Sequence, residues 1–269
     1  MTTVPVFRVE TARLSGAAIR LDGPEGRHAA LVRRLRPGER VDLTDGAGRL
    51  AECVVRAAGG PGDPALDLEV LEQRSLPGPQ PRITVVQALA KGERGELAVE
   101  LMTELGVDVI VPWPASRSIV QWRAERGEKA LAKWRSTAAE AGKQSRRVWW
   151  PEVTEPASTA RVVELLAGAS LAAVLHEDAR SSLADLEPTR TGDIVLVVGP
   201  EGGISPDELR VFGEAGAAAY RMGPTVLRTS TAGAAAVAVL LARSGRWSAQ
   251  NQSAQHQSAQ HQLTQNQPA

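Results

Sequence analysis

Little in this chain could cross-link it or hold a metal. It has one cysteine, Cys53, in 269 residues. That excludes a disulfide framework or a multi-cysteine zinc site within one chain and is compatible with a reducing compartment. The four histidines are sparse, and two of them, His256 and His261, fall in a C-terminal repeat. No metal site is expected. Charge is balanced: 31 basic against 31 acidic side chains give a formal net charge of zero. A polyanionic partner must therefore be met by a local patch, not by the molecule as a whole. Long apolar runs are absent. The Ala-rich 231–242 stretch is too short to span a bilayer, and Met1–Arg13 lacks the apolar core of a signal peptide. No membrane association is expected, and a cytoplasmic location is.

What is present suits a folded protein of two modest domains, with 43% hydrophobic residues. Residues 1–76 read as a small β-rich, barrel-like module. Val4–Val9 is an edge strand, and Val41–Thr44, Ala51–Ala57 and Ala65–Leu71 are strands between Gly/Pro/Asp turns. His28–Leu35 has helical spacing and is stopped by Pro37-Gly38. Arg33, Arg34 and Arg36 sit on or beside its polar face, either as a solvated surface or as an RNA contact. His28 has no neighbouring ligands and is structural or an RNA contact. Asp45-Gly46-Ala47-Gly48 superficially resembles a cofactor loop, but strand-like sequence follows it where such a loop needs a helix, so it reads as a β-turn.

Pro77, Gly78, Pro79 and Pro81 mark a linker over 77–82. An α/β pattern occupies 83–247. Strands are expected at Ile83–Leu89, Val107–Val111, Leu171–Leu175 and Ile194–Val198, with helices over Glu93–Leu105 and 127–145. Such alternation implies a parallel sheet covered on both faces. The apolar run Ile194–Val198 ends in Gly199-Pro200-Glu201-Gly202-Gly203, a glycine-dependent turn. Ser205, Pro206 and Glu208 then carry the signature of a capped helix. Residues 248–269 are a polar, repetitive tail expected to be disordered.

Between Trp113 and Trp150 lie nine basic residues against three acids, and five of the six tryptophans: Trp113, Trp122, Trp134, Trp149 and Trp150. Cations hold phosphates and flat rings stack on unpaired bases, so the segment reads as an RNA-contacting patch, with Trp134 the exception as a core anchor.

Several motifs resemble the bacterial 16S rRNA (uracil-N3)-methyltransferase family of the trefoil-knot (SPOUT) methyltransferases. They are His28–Gly38 with Asp45-Gly46, Lys91-Gly92, Thr103–Val107, Ser116-Arg117-Ser118, Trp134 through Gln144-Ser145 and Arg147, Gly199–Gly203, and Leu227-Arg228-Thr229. The resemblance spans nearly the whole folded chain. It implies a PUA-like RNA-binding domain followed by an α/β domain whose C-terminal chain passes through a loop, an exception to the rule against knots. It further implies a homodimer that binds S-adenosylmethionine and acts on a uridine of the small ribosomal subunit. Lys91, Arg117, Gln144, Ser145, Arg146 and Arg147 join the three N-terminal arginines as RNA candidates.

The chemistry can also be argued from the reaction itself. Methyl transfer from a sulfonium needs no metal. The protein must hold the donor, align the acceptor and accommodate the N3 proton. Glycine turns permit close approach to the donor. That assigns Gly199, Gly202, Gly203, Met222, Gly223 and Leu227 to donor binding, with Pro200, Glu201 and Thr229 from the same motifs and Leu175 and His176 at the end of the preceding strand. Arg228 is the catalytic candidate, a cation to stabilise the uracil anion; the competing role is a structural salt bridge. Many family members carry Glu after the Arg-Thr pair, where this chain has Ser230, so a capping role for Ser230 or Thr229 is expected at the last helix. The alternative reading is an inactive RNA- or ribosome-binding protein of the same fold. Phosphate-loop and dinucleotide motifs are missing.

Overall fold

The computed structural model describes residues 4–60 and 62–248; the proposed tail from 249 onward lies outside them. The chain forms two compact units. Of the described residues, one comprises those to Gly78 together with Gly142–Trp149, and the other comprises Pro79–Ala141 together with residues 150–248.

The first unit is built on a mixed five-stranded sheet of β1 (Val6–Arg8), β2 (Ala18–Leu21), β3 (Arg40–Thr44), β4 (Arg49–Ala58) and β5 (Leu66–Ser75), in the order β1-β3-β4-β5-β2. β1 is an edge strand, as its sequence suggested. Alternation selects the core: Ala51, Cys53 and Val55 of β4 are buried, and they pack with Phe7, Leu21, Val41, Leu43, Leu66 and Leu68. Burial, with the Asp42 carboxylate adding to it, pushes the Cys53 thiol up to about 12, so this cysteine is an inert core residue.

The N-terminal helix differs from the expected one. It starts earlier, as α1 (Gly23–Arg27), where Pro24 sits in the first turn. It ends in a wider turn over His28–Val32. Arg33, Arg34 and Arg36 therefore lie beyond the helix in an exposed loop, not on its polar face, and Arg34 takes a left-handed φ of 55°. His28 meets the edge of Phe7, with ring centroids 5.7 Å apart. The Asp45–Gly48 turn is a turn as expected: Asp45 Oδ1 accepts from the amides of Ala47 and Arg49.

The stretch Gly142–Trp149, expected in the second domain, belongs by its contacts to the first unit. The Gly48 amide donates to the Val148 carbonyl at 3.1 Å, Trp149 Nε1 donates to the Leu76 carbonyl at 3.1 Å, and Lys143 pairs with Glu25 at 2.9 Å.

The second unit is a parallel seven-stranded sheet: β6 (Arg82–Ala88), β7 (Val109–Trp113), β8 (Glu152–Val153), β9 (Leu171–Leu175), β10 (Ser181–Ser182), β11 (Asp193–Val198) and β12 (Ala218–Arg221). The spatial order is β10-β12-β9-β11-β6-β7-β8. The helices are α2 (Arg94–Leu105), α3 (Ala124–Gln144), α4 (Thr159–Ala167), α5 (Pro206–Glu214) and α6 (Thr229–Arg243). Gly106, at φ 119°, ends α2 as its sequence predicts. Ile194, Leu196 and Val198 of β11 point to one core with α2 and α6. Val195 and Val197 point to the other, which contains residues of α4 and α5. Both faces are covered, so the central strands are apolar throughout. Beyond α6, Arg246 forms a part-buried ion pair with Asp108 at 2.6 Å and donates to the carbonyls of Pro81 and Gly106. Among the described residues, no helix is long and apolar enough to cross a membrane, and no cluster of three or more His, Cys, Asp or Glu could hold a metal.

Candidate active site

Strand order places the site. β11 and β6 are neighbours, but the chain leaves β6 towards β7 and β8 and leaves β11 towards β12. Parallel sheets bind ligands in the crevice beyond the carboxyl ends at such a switch point. The residues beyond those ends are the candidates named from the sequence. Gly199–Gly203 follows β11, His176 follows β9, Met222 and Gly223 follow β12, and Leu227–Arg228 leads into α6. Lys91 follows β6 and Arg117 follows β7. β12, β9, β11, β6 and β7 are consecutive in the sheet, so one edge collects all of these residues.

The Gly199–Gly203 turn is clamped from three sides. Thr229 Oγ1 donates to the Gly199 carbonyl at 2.8 Å. Glu201 accepts from the Lys91 amide and from Arg94, both at 3.3 Å. Arg117 reaches the Gly202 carbonyl at 3.4 Å. The first two links join the turn to the head of α6 and to the loop before α2. Thr229 is itself buried, and its hydroxyl donates to Gly199 and accepts from Gln87 Nε2 at 3.1 Å. Its side chain supports the site and does not line it.

The glycines of the site do different work from one another. A Cβ on Gly199 would lie 2.7 Å from Ile204 Cγ1, and one on Gly202 would lie 3.1 Å from the Arg117 carbonyl. The missing side chains there are filled by the protein itself, so close approach to a ligand is not their reason. Gly203 (φ 72°) and Gly223 (φ 148°) are otherwise: a Cβ would meet only the Arg117 guanidinium at 3.9 Å in the first case and nothing within 4 Å in the second. These two leave their backbone open; Leu227 and Val226, just before α6, are 37% and 76% exposed.

Glu208 supplies a second layer of support. Ser205 caps α5 and Glu208 closes the capping box, as expected. The same carboxylate also accepts from the Ser116 amide at 2.8 Å and the Ser116 hydroxyl at 2.9 Å. This fixes the turn that carries Arg117. Burial raises the Glu208 carboxyl, but the hydrogen bonds from Ser116 and Ser205 outweigh it and hold the group below its ordinary value. A depressed carboxylate contributes stability that is present above its unfolded value, about 4.3, and is lost as pH falls through the folded one. Glu208→Gln should cost about 1–2 kcal/mol at neutral pH and flatten the acid limb of the stability curve. Urea unfolding between pH 3 and 7 checks this; parallel curves for the two proteins would refute it.

Arg228 is the N-cap residue of α6 and its side chain is exposed. Its carbonyl accepts from the amides of Thr231 and Ala232. Its guanidinium makes no ion pair among the described residues. No Ser or Thr side chain caps α6, contrary to expectation, and Ser230 is buried at 3% exposure. His176 is half-buried; its Nδ1 accepts from the Asp178 amide, which leaves Nε2 as the donor in the neutral ring.

Four of the five tryptophans of the expected RNA-contacting segment, Trp113, Trp122, Trp134 and Trp149, are packed against the protein. Trp113 and Trp134 are core residues, Trp122 packs edge-on against Trp134 at 5.0 Å, and Trp149 sits on Gly48. Large apolar rings are worth more buried than exposed. Gln144, Ser145, Arg146 and Arg147 fall in the first unit, whereas the strand edge just described belongs to the second.

Residues 77–241 match the family model for an RNA methyltransferase domain, and residues 21–62 match that for an RNA methyltransferase PUA domain. The chain belongs to this RNA methyltransferase family. The ribosomal RNA small subunit methyltransferase E of Mycobacterium tuberculosis is 47% identical, over 91% of this chain and 94% of the relative. That of Bacillus subtilis is 27% identical over 79% and 85%. Among solved structures, the same enzyme from Neisseria gonorrhoeae, bound to S-adenosyl methionine, aligns with a TM-score of 0.75 at 28% identity, over 89% and 98% of the two chains. A Legionella pneumophila methyltransferase with bound SAM aligns at 0.78 and 27%, over 90% and 98%.

Two supporting residues of this family member are not evident from its sequence motifs. Gln87 leaves a faint signal as a lone amide in an apolar strand, since a buried polar group is the informative exception. Glu208 is visible as a capping acid, but its grip on Ser116, 92 residues away, leaves no local signal.

Proposed function

We propose that the protein methylates N3 of a uridine in small-subunit ribosomal RNA, with S-adenosylmethionine as donor and a homodimer as the working form. The observation that carries this is an exposed Arg228, without an ion pair among the described residues, beside a clamped glycine turn at the switch point of the sheet. The activity for which the relatives are named, and the donor bound in the Neisseria and Legionella structures, support it.

The site suits the donor. Open backbone at Gly203 and Gly223, the Nε2–H of His176 and the apolar Leu227, Val226 and Met222 match a flat base with a polar edge. Leu175, Pro200, Glu201, Gly199 and Gly202 shape the walls. When bound, the donor supplies an electrophilic methyl group on a sulfonium. Arg228 orients the uracil and stabilises negative charge on its imide as the N3 proton leaves. Ser230 is buried and no base, so that proton passes to water. The head of α6, seated between Gly199 and Gln87, suits a chain that threads a loop as in the knotted methyltransferases.

Arg33, Arg34, Arg36, Lys91, Arg117, Gln144, Ser145, Arg146 and Arg147 would hold the RNA, mainly through phosphates. Calorimetry of the full chain with S-adenosylmethionine tests the reading against its inactive alternative. Saturable binding, displaced by S-adenosylhomocysteine, is expected; no binding at millimolar donor favours the inactive protein. Replacing Arg33, Arg36 and Arg146 by Ala should lower the slope of log affinity against log salt by about 0.7 for each phosphate of single-stranded RNA that is no longer neutralised. An unchanged slope would remove these arginines from the interface.

A further inference from the structure

Gln87 is completely buried at the carboxyl end of β6, on the face that carries Ile83 and Val85. Its amide orientation is determined. Thr229 has one hydroxyl proton, given to the Gly199 carbonyl at 2.8 Å, so it must accept from Gln87. That puts Nε2 against Thr229, and Nε2 also donates to the Ala88 carbonyl at 3.2 Å. Oε1 is left buried with no partner among the described residues. One turn into α6, a Cβ on Gly233 would lie 3.3 Å from that oxygen and 3.1 Å from Met102 Sδ. The helix head is thus held close against β6.

A buried, half-satisfied amide is a poor stabiliser, because an apolar side chain of similar size would fill the site without an orphaned oxygen. What the amide provides and Leu could not is a directed link. It runs from β6 through the Thr229 hydroxyl to Gly199 of the turn. Arg228 is the residue immediately before Thr229.

We propose that Gln87 is a positioning residue for methyl transfer: through Thr229 it holds Arg228 in register with the Gly199–Gly203 turn. This rests on the reading of Arg228 and the turn given under Proposed function. The test measures kcat, KM for RNA, donor affinity and thermal midpoint for the wild type, Gln87→Leu, Thr229→Val, the double variant and Thr229→Ser. A small displacement of an aligned group can cost up to roughly a hundredfold in rate. Gln87→Leu should lower kcat by about tenfold to a hundredfold, with donor affinity nearly unchanged and the midpoint not lowered. The double variant should be no slower than the slower single variant, and Thr229→Ser should retain most of the rate. An unchanged kcat in Gln87→Leu, multiplicative losses in the double variant, or a kcat loss that merely follows the midpoint would overturn the proposal while leaving the activity itself in place. An inactive wild-type chain would overturn both.

Discussion

Arg228→Ala should lower kcat by roughly 10²–10³-fold, the usual cost of removing one stabiliser of developing charge. Donor affinity should change little. The side chain is exposed and has no ion-pair partner among the described residues, so its removal breaks no structural salt bridge there. Its backbone caps α6 through a carbonyl that any residue supplies. The loss should therefore appear in turnover and not in the unfolding midpoint. Arg228→Lys should recover only part of the rate, because an ammonium keeps the charge but not the planar fork that orients an imide edge. Single-turnover methylation at saturating donor, with calorimetry for donor affinity, separates the effects. Full activity in Arg228→Ala would take the residue out of the mechanism.

The second large effect is on stability. Gly48 has φ 99°, and a Cβ there would lie 2.4 Å from the Trp149 ring and 2.9 Å from the Leu76 carbonyl. Gly48→Ala thus combines a disfavoured backbone with a collision against a ring held by its own Nε1–H bond to Leu76. Backbone strain alone is worth about 1–3 kcal/mol, and overpacking adds about 1–3 more. A total on the order of 3 kcal/mol or more is expected. The displaced segment would be Gly142–Trp149, which carries Arg146 and Arg147. RNA affinity should fall along with the urea midpoint, while donor affinity is retained. Wild-type stability in Gly48→Ala would mean that this turn does not hold Trp149.

Strong local signals are legible in the sequence. The period-2 core of β4, the apolar runs of β9 and β11, the Gly106 stop and the Ser205–Glu208 capping box can all be read there, because each depends on neighbours a few residues apart. β12 cannot, since Ala-Ala-Tyr-Arg has no apolar alternation and is a strand because it pairs with β9 and β10. The arginines after α1 are misplaced by the sequence pattern because Pro24, not the apolar spacing, sets where that helix begins. The site is legible in outline: the turns, Arg228 and the strand ends stand out as motifs. Its internal logic is not. Gly199 and Gly202 serve packing, Thr229 serves Gln87 and Gly199, and Trp113 and Trp134 serve the core. All of these are long-range contacts that a one-dimensional pattern does not carry.

The most direct measurement is nucleoside mass spectrometry of ribosomal RNA after purified protein acts on small ribosomal subunits that lack the modification, with isotopically labelled S-adenosylmethionine. Label is expected in N3-methyluridine of the small-subunit RNA, at no more than one methyl group per subunit, and none in large-subunit RNA treated in parallel. Absence of label, or label on a ribose or on another base, would contradict the assignment.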